Sequence, residues 1–329
     1  MKIDKNAAER LLNKIELHDT IIITRHDRPD GDALGSTLGL RAALREKYPR
    51  KKILCISGDG SAKLGFLGKE DEDLPEEEYA GALVIVADCG SVSQISNKRW
   101  DKGAFVVKID HHESGDDFAD LPIVYPEAAA TAEIVSNLIL DFGIGTMTAE
   151  AAKLLYSGIV TDTGGFRFSV SPCTFETAAM LVSYGFNAGE LTERLFLRTR
   201  KEAELSGVLC GMIKMTPSGA AYLRLDRDVI SAFGMTREEA GDTVNLMLGI
   251  DGIPVWAVFI GETDGTYHVR LRGRGANVRI IAEKFGGGGH DGASGAHLDS
   301  EEKIPAVIAE LDRTAKDVLD KQNKPGYNI

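Results

Sequence analysis

The stretch 21–36, IIITRHDRPDGDALGS, puts His26, Asp27, Asp30 and Asp32 within seven positions. Asp30 and Asp32 stand two apart in what Pro29 and Gly31 make a tight turn. Like charges that close repel, and a divalent cation is the simplest remedy, with each carboxylate able to face a different ion. A bare PDGD is more often a turn with an aspartate helix cap, so the case for chemistry rests on recurrence. Asp88 ends the apolar run ALVIVA at 82–87, and Asp110-His111-His112 ends AFVVKI at 104–109. Adjacent histidines on an extended chain point apart, so His111 could bind a metal while His112 faces a substrate phosphate, with Asp110 holding an imidazole. Asp162 lies in GIVTDTGG, 158–165, where glycines let backbone approach a ligand closely. Each segment alone has a bland alternative: a cap, a packed histidine pair, a turn. Together, oxygen and imidazole donors point to manganese or magnesium, and Cys89 beside Asp88 reads as packing because a thiolate suits neither.

A second group lies far downstream. Between residues 270 and 284 stand Arg270, Arg272, Arg274, Arg279 and Lys284 against one acid, Glu283, in a chain of net charge -12. This is where an anion would go. Gly286-Gly287-Gly288-Gly289-His290 follows, then Ala293-Ser294-Gly295. Consecutive glycines expose backbone N–H groups to phosphate or ribose, and His290 can donate to an oxyanion. A flexible linker is the alternative, but this segment sits between an apolar helix pattern (Ile280, Ile281, Phe285) and a strand pattern (Ser294 to Leu298).

The elements that must position these residues read as α/β. Ile21, Ile22 and Ile23 suit a strand buried on both faces; Leu34, Leu38 and Leu40, with Ala33 and Ala42, recur at helical spacing. His26, Asp30 and Asp32 therefore belong to a strand-to-helix loop at the carboxyl end of a strand, where open α/β sheets place ligands. A helix over 4–17, a strand at 51–57, and helices over 128–141 and 148–160 continue the alternation to about residue 184. The fold class is thus a doubly wound, mainly parallel sheet over 1–186, a helical linker over 187–215, and a smaller α/β domain over 216–322. Residues 323–329 read as a frayed tail. In the smaller domain, strands are expected at 220–225, 253–260, 266–272 and 294–298, and helices near 236–248, 276–284 and 301–320. The acidic run 69–78, KEDEDLPEEE, is a solvated loop without EF-hand spacing.

With 329 residues the chain can hold two cores. Its 50 acidic against 38 basic residues argue against a surface for long nucleic acid and favour a short anionic substrate at a local basic patch. Four scattered cysteines form no zinc ribbon or disulfide framework, and no signal peptide or membrane anchor is apparent, so a cytoplasmic location is expected.

Five pieces, RPDGDALGS with His26 before it, VADCGS around Asp88, DHH at 110–112, GIVTDTGGFRF around Asp162 and FGGGGHDGASG, together resemble the DHH/DHHA1 phosphoesterase family. Within it they resemble the bifunctional oligoribonucleases and 3'-phosphoadenosine 5'-phosphate phosphatases, often called nanoRNases. The resemblance implies two Mn2+ ions, Mg2+ being the alternative. His26, Asp30 and Asp88 would hold one, and Asp32, Asp88, His111 and Asp162 the other, with Asp88 bridging. The pair would activate a water for in-line attack on phosphorus, with His112 on the phosphate and Asp110 behind it. Arg272, His290, Gly287, Gly288 and Gly289 would clamp substrate across a cleft. Where the group has Ser-x-Arg-Ser, this chain has Arg270-Leu271-Arg272-Gly273, so Arg270 is an extra guanidinium. The usual arginine after Asp88 is absent, with Arg99 a distant candidate.

The implied function is trimming of very short RNA or removal of a phosphate from a 3',5'-bisphosphorylated nucleotide. Short single-stranded RNA or a small nucleotide is the expected partner; long duplexes and membranes are not, and a homodimer is left open. A phosphodiesterase for cyclic di-AMP or pApA is the nearest rival. A long-strand exonuclease would need a more basic surface, and a pyrophosphatase would lack GGGGH. A non-catalytic nucleotide sensor predicts loss of a ligand position, and all six are present.

Overall fold

The computed structural model describes residues 2–61, 63–113 and 115–322, so the expected tail at 323–329 lies outside the described residues. The chain divides into two compact units, Met1–Leu197 and Arg198–Ile329. In the first, strands β1 (Thr20–Thr24), β2 (Lys52–Cys55), β3 (Leu83–Ala87), β4 (Phe105–Asp110) and β5 (Leu121–Val124) form one parallel sheet in the order β2-β1-β3-β4-β5. Helices α1 (Lys5–Leu17), α2 (Gly31–Lys47), α3 (Thr131–Phe142), α4 (Ala149–Asp162), α5 (Pro172–Val182) and α6 (Ala188–Phe196) complete it. Ile21, Ile22 and Ile23 are fully buried and β3 is buried along its whole length, as a sheet covered on both faces requires. Strand order reverses between β1 and β3. His26 follows the first of these strands and Asp88 the second, at the topological switch point where such sheets take ligands.

The most extensive helix contact in this unit, among the described residues, is between α2 and α4, and glycine makes it. Gly31, Gly35 and Gly39 stand four apart on one face of α2. A Cβ would lie 2.3 Å from Thr161 Oγ1 at Gly31, 2.5 Å from the Leu154 carbonyl at Gly35 and 2.7 Å from Leu155 Cγ at Gly39. At Gly158, on α4, a Cβ would meet Ala132 Cβ at 2.6 Å and Asp32 Oδ1 at 2.7 Å. The two helices that carry Asp32 and Asp162 are thus in backbone contact, closer than side chains would allow.

Two elements escape the hydrophobic pattern. Strand β5, LPIV, is an edge strand and tolerates Pro122 for that reason. Helix α5 is announced only by its cap, Ser171 with Thr174 and Pro172 at the first position. The expected helical run over 187–215 is interrupted: after α6, Thr199 starts α7 (Arg200–Gly211) with a capping box to Glu202, and Lys214–Met215 is already strand β6.

In the second unit, β6, β7 (Ala221–Leu225), β8 (Val255–Gly261), β9 (Tyr267–Gly273), β10 (Gly288–Gly289) and β11 (Ala293–Leu298) pair in the order β10-β11-β9-β8-β7-β6. Only β7 and β8 run parallel. Helices α8 (Arg227–Ala232), α9 (Arg237–Asp242), α10 (Arg279–Lys284) and α11 (Ile304–Gln322) complete it. One core holds Ile281, Val307 and Leu311 from α10 and α11, the other Leu209 of α7 with Val244 and Met247. The helix expected near 236–248 is α9 followed by a 3-10 turn at Thr243–Met247. The glycine run is a hairpin strand, Gly288 opposite Gly295 and Gly289 opposite Ser294, and no linker.

Candidate metal centre

Asp30 is the N-cap of α2, its Oδ1 accepting from Asp32 N at 3.0 Å and Ala33 N at 2.9 Å. The cap reading and the site reading therefore hold for the same residue, since Asp30 Oδ1 also lies 4.0 Å from His26 Nε2. Asp32 points the other way and is buried. Its Oδ2 accepts from Thr131 N at 2.6 Å and its Oδ1 from Ala132 N at 2.9 Å, the first amides of α3. A helix N-terminus favours a carboxylate there.

Asp88 closes β3 in the left-handed region, φ 56°, a conformation that costs a non-glycine residue about 1–3 kcal/mol and marks functional sites. The strain turns its carboxylate between two histidines. Oδ2 lies 3.5 Å from His26 Nε2, and Oδ1 lies 3.7 Å from His111 Nε2 and accepts from Thr131 Oγ1 at 3.0 Å. His111 Nε2 is also 3.3 Å from Asp162 Oδ2 at the end of α4. Both imidazoles are anchored through Nδ1, His26 to the Asp27 carbonyl at 2.6 Å and His111 toward the Ala128 carbonyl at 3.4 Å. That tautomer leaves each Nε2 facing carboxylates, the usual arrangement of metal-ligating histidine.

Three groups of donor atoms, each within 4.8 Å, result: His26, Asp30 and Asp88; Asp32, His111 and Asp162; Asp88, His111 and His112. All six sequence-predicted ligands thus meet in one place. His112 stands beside them, its Nδ1 donating to Asp110 Oδ1 at 2.7 Å, with Lys108 Nζ 3.2 Å from Asp110 Oδ2. Beneath the first loop, the fully buried Arg25 pairs with Asp59 and Glu70 and donates to the His26 carbonyl, fixing the chain that carries His26. Arg99, the distant candidate, is committed elsewhere: it pairs with Asp73, donates to the Leu74 carbonyl and lies over the Tyr79 ring.

The charges fit a cation site. Burial, and then the Asp88 and Asp162 charges, push the Asp32 carboxyl well above the usual range; burial, Asp88 and Asp30 do the same to Asp162. Burial pulls the His26 imidazole down, but Asp88, the Asp27 carbonyl and Asp30 outweigh it and leave it raised to about 9. Burial works against the charged form of Asp88 too, yet His26, His111 and His112 hold it below the usual carboxylate value. Protons compete here for places that divalent cations would take, and ligand bonds of roughly 2.0–2.2 Å put neighbouring donor atoms about 3 Å apart. Cys89 is no ligand: its thiol donates to the Ser91 carbonyl at 3.2 Å and burial pushes it up to about 12.

In the second unit, Arg270 and Arg272 leave the same face of β9. Arg270 lies 3.5 Å from Asp242 and flat on Gly241, where a Cβ would fall 2.5 Å from its Cζ. Arg272 donates to the Leu271 carbonyl and forms no ion pair among the described residues. Burial, then the Arg270 charge, lowers its pKa, so an anion would relieve it. The glycines differ in kind. A Cβ at Gly287 would lie 2.0 Å from the Gly295 carbonyl, and at Gly289 (φ 135°) 2.7 Å from that of Ala293, whereas Gly288 faces open space. Hairpin packing alone demands the first two. Gly273, which departs from the expected serine, is demanded by the turn, with Ala276 O 2.6 Å from its would-be Cβ. The backbone of His290 closes the turn, its N donating to the Ala293 carbonyl at 2.8 Å and its own carbonyl accepting from Ser294 Oγ at 2.7 Å.

Two family models match this chain, the DHH family N-terminal domain over residues 20–159 and the DHHA1 domain over 220–317. The chain is 37% identical over 310 residues to the bifunctional oligoribonuclease and PAP phosphatase NrnA of Bacillus subtilis, covering 93% of this chain and 98% of that protein. The chain belongs to the DHH family. Another DHH relative, the NrnA of Thermus thermophilus, is 36% identical over 89% of this chain and 90% of its own length. The cyclic-di-AMP phosphodiesterase PdeA of Listeria monocytogenes is 26% identical over 86% of this chain but only 45% of that protein. The crystal structure of an exopolyphosphatase-related protein from Bacteroides fragilis shares the DHH fold at a TM-score of 0.82 and 23% identity, covering 97% of this chain and 98% of that one.

Sequence reasoning missed what holds these candidate ligands and the adjoining Asp110: Thr131 and the amides of α3, the α2–α4 glycine contact, Lys108 and Arg25. The small residues AAATAE at 128–133 were the only signal for the first, a helix start without bulk.

Proposed function

We propose that this protein is a metal-dependent phosphoesterase that hydrolyses short oligoribonucleotides and 3'-phosphoadenosine 5'-phosphate. The observation that carries the reading is the Asp88 carboxylate, with one oxygen toward His26 and the other toward His111 and His112. His26, Asp30 and Asp88 would hold one Mn2+, and Asp32, Asp88, His111 and Asp162 a second. When bound, such a pair supplies Lewis acidity and brings the pKa of water toward neutrality. The chain's own residues do the rest. Asp110 accepts a hydrogen bond from His112 Nδ1–H and favours the imidazolium, so the ring turns Nε2–H to the phosphate and offsets charge developing on its oxygens. Asp30 and Asp32 keep their places through the amides of α2 and α3. Arg272 and Arg270, with Gly288 and His290, would receive a substrate phosphate or ribose; Gly287 and Gly289 serve by shaping the hairpin.

Two NrnA relatives above 35% identity and nearly full-length support the substrate class. A cyclic di-AMP or pApA phosphodiesterase is the second reading, on the likeness to the Listeria protein. The test is a side-by-side assay of purified protein with Mn2+ against 3',5'-bisphosphoadenosine, a five-nucleotide RNA, pApA, cyclic di-AMP and pyrophosphate. Turnover of the first two, abolished by EDTA, is expected. Hydrolysis of pyrophosphate alone, or undiminished activity in EDTA, would sink the proposal.

A further inference from the structure

The strand below the Asp-His-His turn holds a buried cation that the reaction outlined above leaves without a task. Lys108 and Asp110 stand two apart on β4, so both side chains leave the same face. They are 6% and 0% exposed, with Nζ 3.2 Å from Oδ2. Asp110 Oδ2 accepts no hydrogen bond among the described residues, so the contact is coulombic. Nζ also lies 3.5 Å from the Gly90 carbonyl and 5.3 Å above the Phe118 ring. Gly115 roofs it: a Cβ there would fall 2.9 Å from Nζ and 2.4 Å from Gly90 O. A buried ammonium is costly unless paired, so its presence here calls for a use.

The other oxygen shows the use. Asp110 Oδ1 receives three donors of the turn: His111 N at 3.0 Å, His112 N at 3.3 Å and His112 Nδ1 at 2.7 Å. A carboxylate held at one oxygen can swing about χ2, whose well is broad. An anchor at the second oxygen removes that freedom. We infer that Lys108 is a positioning residue, pinning Asp110 so that Asp110 fixes the His112 ring with Nδ1–H inward and Nε2–H outward. The catalytic consequence rests on the hydrolase reading; the effect on the His112 ring does not.

The test compares wild type with Lys108→Met, close in shape and without the charge. At unchanged metal content, kcat on 3',5'-bisphosphoadenosine should fall roughly 10- to 100-fold with KM within about twofold, the usual scale for a residue that orients an active-site group. Imidazole 15N NMR should show the His112 Nδ1–H losing the single hydrogen-bonded environment it has in wild type. Unchanged kcat, or an unchanged His112 spectrum in the folded variant, overturns the inference. Should Lys108→Met fail to fold, Lys108→Met/Asp110→Asn removes both charges and is compared with Asp110→Asn. Equal kcat in the two means Lys108 acts through Asp110; a further loss in the double variant means it does not. A wild type inactive on every nucleotide would defeat the proposed function, while the NMR comparison would still decide the role of Lys108.

Discussion

His26 gives the sharpest test of how this site stores charge. Its imidazole, 19% exposed, is raised from 6.5 to about 9 by Asp88, the Asp27 carbonyl and Asp30 against the pull of burial. A raised histidine stabilises the fold fully below its unfolded value and loses that stabilisation as pH climbs through its folded value. The gap of about 2.5 pH units, at 1.36 kcal/mol per unit, amounts to about 3 kcal/mol lost between pH 6.5 and 9.5. For a unit of this size that is roughly 6–12 °C in Tm. Asp32 and Asp162 push in the same direction: with folded values above the unfolded one, they favour the fold at low pH and weaken it as they ionise. Asp88 and Asp110, both held low, contribute stability above the normal carboxylate range and are constant in this window. Protein dialysed against EDTA should therefore lose stability to urea from pH 6.5 to 9.5, and His26→Gln should remove about 3 kcal/mol of that slope. Added Mn2+ should stabilise more at pH 8.5 than at 6.5, because it displaces fewer protons. A flat or rising wild-type profile, or a His26→Gln profile parallel to wild type, would refute the reasoning.

Asp88→Ala removes the carboxylate between both donor groups and should abolish turnover with loss of bound metal, whereas Arg272→Ala should raise KM at normal metal content; plasma emission and steady-state kinetics separate the two. Gly158→Ala drives a methyl into Asp32 Oδ1 and Ala132, so it should cost about 1–3 kcal/mol in urea unfolding and weaken metal binding. Gly288→Ala should leave thermal stability within about 0.5 kcal/mol while raising KM, since its Cβ meets only space a ligand would use; Gly287→Ala should destabilise the second unit through its clash with Gly295 and Ala296.

Of the candidate ligands, His26, Asp88 and His111 stood out because each follows a junction that sequence marks twice, by an apolar run that ends and by a carboxylate or imidazole that begins. Ile21–Ile23 before His26, ALVIVA before Asp88 and AFVVKI before Asp110 all became buried parallel strands. What sequence hid was anything set by contact rather than periodicity. Gly31, Gly35 and Gly39 look like weak helix formers until α4 is laid against them. Strand β5 is too short and proline-bearing to stand out, and the break at Thr199 depends on a capping box inside an otherwise helical pattern. In the second unit the glycine run drew a ligand reading for all its members, yet two of the three are explained by a hairpin packed too tightly for any side chain.

The support of Asp32 shows why helix packing, rather than the ligand list, decides whether such a site works. A carboxylate oxygen has about two lone-pair positions. Each oxygen of Asp32 spends one on an amide of α3, Thr131 N or Ala132 N, which offsets part of the cost of burial. The remaining lone pairs stay available to a cation shared with His111 and Asp162. Had the chain offered a lysine or arginine instead, the charge would be neutralised and the affinity for metal spent. Helix dipole and amides compensate only partially, about half a charge, so Asp32 is held firmly while most of its negative charge still awaits a partner. That compromise requires the start of α3 to reach Asp32 while α4 delivers Asp162 beside it, and only glycines at 31, 35 and 158 let three helices converge that closely.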